Sequence, residues 1–216
     1  QIGTVDVPTS GLYVPDSPGT CPAQDVRPFG LKYYLGKVYV SVVCSGESRP
    51  ESGDVASGLL ADGAYKNGTS TFTDGNGDSR FTWQDDQNLH AYVLRMDAAT
   101  LAFEPTPVIS FPLTFRAAFG ASQMDISFHS WSVIPRAYIQ ERYIFPQPVL
   151  SDIDFERGNM VLAVRDRMGD QSAAGTWNME GNGTAGETSF PNGWADTRSF
   201  GQLLRACGRP DTGWTL

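Results

Sequence analysis

Asp152 and Asp154 stand either side of Ile153 in a run of alternating residues, and the period-two geometry of a strand puts both on one face. On a face that lines a cleft, their mutual repulsion would raise one pKa and set a general acid beside a base, as a glycosidase requires. The plainer reading is a polar strand face that bonds backbone amides. Further on, Arg165, Asp166, Arg167 and Asp170 alternate in charge just past an apolar strand. They read as a grip for a carboxylate or a sugar, or as a salt-bridge network holding their own loop. Trp177, Trp194 and Trp214 lie among Gly, Asn and Thr, where an exposed indole stacks on a sugar ring and a buried one fills a gap under a loop.

Asp74, Asn76 and Asp78, separated by Gly75 and Gly77, space three oxygen ligands as calcium loops do. Asp85 falls at the twelfth position, where an EF-hand carries a bidentate Glu, and no helices flank the run. It reads as a non-EF calcium site or as an acidic turn. The two histidines, His90 and His129, have no zinc-helix or nucleophile-elbow motif around them. Both read as surface or hydrogen-bonded residues, and no catalytic residue is assigned. Cys21 and Cys44 bracket the first strong strand pair, a spacing compatible with a disulfide that pins an N-terminal segment, and Cys207 is left over. The alternative is three free thiols. Asn67 and Asn182 head Asn-Gly-Thr sequons in Gly-rich loops.

The elements that must position these groups are strands. Residues 1–25 form an extended arm rich in Pro, Gly, Ser and Thr, and residues 26–216 a single β-rich domain. Leu31 to Val43 reads as strand, tight turn at Gly36, strand; residues 91–111 read as a hairpin turning at Asp97 to Thr100. Residues 45–88 and 172–199 are long Gly-rich excursions, and Gly201 to Cys207 fits a strand or one helical turn. Residues 31–42 align without gaps on 153–164, Gly36 on Gly158, in the shared pattern apolar-x-aromatic-x-x-Gly-x-apolar-apolar-apolar-small-Val. Internal repetition of strand–turn–strand units at this large offset reads as propeller-like repeats with insertions. The expected fold class is therefore all-β.

Pro146 to Phe155 and Val164 to Gln171, with Arg27 to Leu31 and His90 to Phe111, resemble a propeller-like module of large secreted bacterial surface proteins. The resemblance spans most of residues 25–207 and implies a β-propeller in an extracellular setting, with no assigned reaction. A departure is the length: 216 residues supply too few strands for a closed ring, so the chain reads as a fragment or as one whose open edges a partner covers. Its start at Gln1 reads as a processed N-terminus.

Composition narrows the function classes. Hydrophobic residues make up 40% of the chain and charged residues 19%, enough apolar content to exclude global disorder. A net charge of −8 with no basic stripe leaves a nucleic-acid backbone nothing to bind. No stretch reaches the ~20 apolar residues of a spanning helix. The reading is a non-enzymatic, secreted or envelope-exposed structural module that assembles with other chains or domains. The alternative is a carbohydrate binder or glycosidase working through the exposed tryptophans and the Asp152/Asp154 pair.

Overall fold

Alternating β-branched and aromatic residues around glycine turns give the chain its strands. A computed structural model describes residues 4–9, 12, 20–47, 71–73, 79–81, 89–113, 115, 128–131, 146–171, 176–177, 194–195 and 201–216. The first hairpin joins β1 (Val26–Tyr34) to β2 (Lys37–Cys44) through Leu35 and Gly36, at φ of 48° and 78°. Positive φ at both central residues makes a turn whose twist matches the right-handed twist of the strands. A second hairpin joins β7 (Pro148–Glu156) to β8 (Asn159–Asp166) through Arg157 and Gly158, at 52° and 90°.

The two hairpins correspond closely. Every strand limit in the first lies 122 residues before its counterpart in the second. Each carries a one-residue bulge at the same place, between Pro28 and Leu31 and between Leu150 and Asp152. Each continues into two further antiparallel strands: β5 (His90–Asp97) and β6 (Ile109–Pro112) after the first, β11 (Gly201–Arg209) and β12 (Gly213–Thr215) after the second. The result is two open four-stranded sheets, ordered β1-β2-β5-β6 and β7-β8-β11-β12, with no closed ring among the described residues. Between its second and third strands each sheet inserts a long excursion that includes a two-stranded ladder. These are β3 (Thr71–Thr73) with β4 (Ser79–Phe81), and β9 (Thr176–Trp177) with β10 (Trp194–Ala195). A short helix, α1 (Arg167–Gln171), follows β8.

The main core lies between the sheets. Tyr39, Val43, Ala91 and Val93 of the first meet Leu150, Ile153, Met160, Leu162 and Val164 of the second, all of them buried. Phe155 stacks on Tyr34 at 4.1 Å and meets the Tyr39 ring edge-on at 4.8 Å. A second core lies on the opposite face of the first sheet, where Leu12 and Cys21 of the arm cover Val40, Val42, Tyr92 and Leu94. The Cys21–Cys44 disulfide fastens the arm there, and Cys21 N–H also donates to Leu12 O at 2.9 Å.

One local reading changes, and one left open between two alternatives resolves. β1 starts at Val26 rather than Leu31, running through Pro28, which an edge strand tolerates because one side of its ladder is vacant. Residues 201–207 form a strand, paired along β8 from Gly201 to Ala206.

The staple crosses 23 residues of sequence, so losing it should cost roughly 3 kcal/mol through the freed unfolded chain. Urea denaturation of Cys44→Ala should show a clearly lowered midpoint, and the same for the reduced wild-type chain. An unshifted midpoint would mean that the arm holds its place without the bond.

Candidate functional site

Strand β7 carries Asp152, Asp154 and Glu156 on its exposed face, between the inward-facing Ile153 and Phe155. The two aspartates share that face, and each is already engaged. Asp152 Oδ1 accepts the Ile153 N–H and Asp154 Oδ1 accepts the Phe155 N–H, both at 2.8 Å. Lys32 of β1 reaches Asp154 at 2.7 Å. That ammonium, with the Phe155 amide, holds the Asp154 carboxyl below its usual range. A general acid needs the opposite shift. The packing of β1 against β7 thus brings a lysine to Asp154, and each aspartate bonds a backbone amide of its own strand.

The charged run at the end of β8 and into α1 divides in three. Arg165 points outward and pairs with Asp170 at 2.5 Å. Asp166 continues the inward row of Met160, Leu162 and Val164 and is 1% exposed. Its Oδ1 accepts the Gln147 N–H at 2.8 Å and the Met168 N–H at 2.9 Å, which ties the start of β7 to α1. Its Oδ2 has no hydrogen-bond partner among the described residues. Burial pushes this carboxyl up to about 7, against the pull of the backbone amides. Arg167 turns the other way, its guanidinium 4.6 Å from the Trp131 ring centre and bonded to Gln147 Oε1 at 2.5 Å. Burial lowers its pKa. The four residues therefore form no common grip.

Trp131 is the centre of this corner, a role that nothing in the sequence around it assigns. Arg27, paired with Glu47 at 2.8 Å, lies 5.7 Å from the same ring, and Phe29 lies 5.6 Å away. The indole Nε1–H donates to Pro148 O at 2.9 Å, and the Trp131 amide donates to Ser45 O at 2.8 Å. One side chain thus knits the ends of both hairpins. The only sequence signal for it is an aromatic-rich segment, Phe128 to Trp131.

The remaining candidates scatter. Trp177 and Trp194 are direct partners across the β9–β10 ladder. Trp214 is a plug: 6% exposed, edge-on to Tyr39 and bonded to Gly158 O at 2.9 Å. His90 is 2% exposed beside Tyr92, and the His129 amide donates to Pro146 O. Asp74, Asn76 and Asp78 lie outside the described residues, as do both sequons. No group of three or more metal-ligating side chains occurs among the described residues, and no helix there is long and apolar enough to cross a membrane.

What the described surface does offer is apolar. Leu31 and Tyr33 on β1 and Leu35 in the turn after it are 65%, 62% and 69% exposed, and Leu203 on β11 is 77% exposed. Comparison of the chain with protein-family models, curated proteins and solved structures yields no match.

Asp166 sets a pH dependence. A folded pKa raised above the unfolded value of about 3.9 means that the folded state holds a proton which the unfolded state has lost. Its contribution therefore falls as pH rises from about 4 to about 7 and is level above that, a change on the order of 4 kcal/mol. Asp166→Asn keeps the Oδ1 acceptor and removes the charge. Stability measured by denaturation at stepped pH should lose this downward slope in the variant. A wild-type and a variant profile that run parallel would contradict the assignment.

Proposed function

We propose that the chain is a non-enzymatic structural or interaction module of the extracellular or envelope space, built on propeller-like blades, that assembles with other chains or with further domains of its precursor. The observation that carries the reading is the exposed apolar pair Leu31 and Tyr33 on an edge strand, continued by Leu35 in its turn, with Leu203 on the second sheet. Edge strands with large exposed apolar side chains are what soluble monomers avoid and what assembling proteins use. Two four-stranded meanders facing each other through their first strands are compatible with neighbouring blades, and a partner would then supply the missing cover. The disulfide accords with an oxidising compartment. Neither the occupied Asp152/Asp154 pair nor the divided Arg165–Asp170 run offers machinery for a reaction.

One observation favours a second reading. Trp177 and Trp194 are register partners on β9 and β10, which sets two tryptophan positions side by side, and aromatic residues are what a sugar-binding surface uses. A glycan would then be the ligand, bound without hydrolysis. Calcium held by Asp74, Asn76 and Asp78 is a separate proposal.

Native mass spectrometry of the protein from its own source separates the two readings. Assembly predicts a defined complex heavier than 23.5 kDa. A lone 23.5 kDa chain that binds a glycan array, with the signal lost in Trp177→Ala and Trp194→Ala, would overturn the first reading in favour of the second.

A further inference from the structure

Leucine at positive φ is uncommon, because its Cβ crowds the backbone there and glycine, asparagine or aspartate fit better. Leu35 and Leu101 both take that conformation, at φ of 48° and 59°, and both are exposed, at 69% and 48%. They belong to two turns at one end of the first sheet, Leu35 to the turn between β1 and β2 and Leu101 to the turn that follows β5. The Ala98 N–H donates to Gly36 O at 3.2 Å, so the turns lie side by side. Lys37 pairs with Asp97 at 2.9 Å, and Asp97 Oδ1 accepts the amides of Ala99 and Thr100, both at 2.9 Å. A Cβ placed on Gly36 would meet nothing among the described residues within 4 Å, so the tip projects.

The fold asks for leucine at neither place. Counted 122 residues on, Leu35 becomes Arg157, at φ of 52° in a turn of the same kind. The loop joining β11 to β12, the counterpart of the second turn, carries Asp211. The second sheet thus ends in charges where the first ends in an uncharged tip, Leu35 and Gly36 beside Ala98 to Ala102. The charges behind that tip are paired off, Lys37 with Asp97 and Lys32 with Asp154.

We propose that this tip docks on a lipid surface. Leu35 and Leu101 enter the acyl region of one leaflet. Tyr33 lies behind them at headgroup level, where its apolar ring and its hydroxyl are both accommodated. A bilayer accepts a projecting apolar tip as it stands, whereas a protein partner would have to supply a pocket shaped to it. The hydrogen bonds within and between the turns hold the tip in advance, so little ordering opposes insertion. The net charge of −8 selects the surface: zwitterionic headgroups, because anionic ones repel the chain. The inference goes beyond the assembly reading. It takes the turn end of the Leu31 to Leu35 row and leaves Leu31 and Leu203 to a protein partner.

Flotation of the full chain with phosphatidylcholine vesicles tests it, repeated with part of the lipid replaced by phosphatidylserine. Leu35→Asn and Leu101→Asn remove the apolar side chains and put in a residue that suits positive φ. Arg157→Asn, in the matching turn of the second sheet, is the control. Wild type and Arg157→Asn should float alike with phosphatidylcholine and less with phosphatidylserine present. Each leucine variant should partition roughly tenfold more weakly or worse. Should either fail to keep the wild-type melting curve, Leu35→Gly and Leu101→Gly replace the pair. A wild-type chain that does not float, leucine variants that float as well as wild type, or a control that loses binding equally would overturn the proposal. Stronger flotation with phosphatidylserine would overturn the choice of a zwitterionic surface. A chain silent on vesicles whose protein partner is released by Leu35→Asn would give the tip to a protein contact instead, and leave the assembly reading intact.

Discussion

The structure turns on one hydroxyl. Strands β1 and β7 are the edges of their sheets, and they cross where each carries its bulge. Bulges leave backbone groups out of the ladder, and buried backbone groups must find partners. Ser41 Oγ accepts the Gly30 N–H at 2.6 Å and donates to Leu150 O at 2.6 Å, so a single side chain satisfies an amide of one sheet and a carbonyl of the other. The strands can come this close only because residue 30 has no Cβ: one placed there would lie 2.9 Å from Asp152 Cα and 3.0 Å from Ser151 O. The corresponding position in the second hairpin is Ala163, so the lock is single.

From that crossing the other features follow. It fixes the angle at which Phe155 reaches Tyr34 and Tyr39, and it brings Lys32 beside Asp154. It places the ends of both hairpins at one corner, where Trp131 sits between two guanidiniums. It also joins one face of the first sheet to one face of the second, which leaves Val161, Ala163 and Leu203 looking outward.

Much of the fold could be read from the sequence, because it is local. Alternation with a glycine at the turn marks both hairpins, and a period of two fixes which residues face inward. The spacing of Cys21 and Cys44 around the first strand pair was enough to raise the disulfide, though not to exclude free thiols. The same alternation could have placed Asp166 inward, since it continues Met160, Leu162 and Val164; its charged neighbours drew it into a surface cluster instead. Non-local contacts were out of reach. Nothing near Asp154 in sequence announces Lys32, which arrives through the packing of two sheets, and nothing near Trp131 announces Arg27 and Arg167. Gly30 looked like an ordinary glycine because the need for close approach appears only when the second strand is in place. Trp214 stands among residues typical of loops, yet it fills the space beside Tyr39 and Gly158.

The central claim is that Ser41 joins the two sheets, and denaturation of Ser41→Ala tests it most directly, with exposed Ser110→Ala on β6 as the control. Removing the hydroxyl strands a buried amide and a buried carbonyl, which should cost about 2 kcal/mol. The account predicts that loss in Ser41→Ala and almost none in Ser110→Ala. A Ser41→Ala chain as stable as the control would contradict it, and the sheets would then be held by their apolar faces alone.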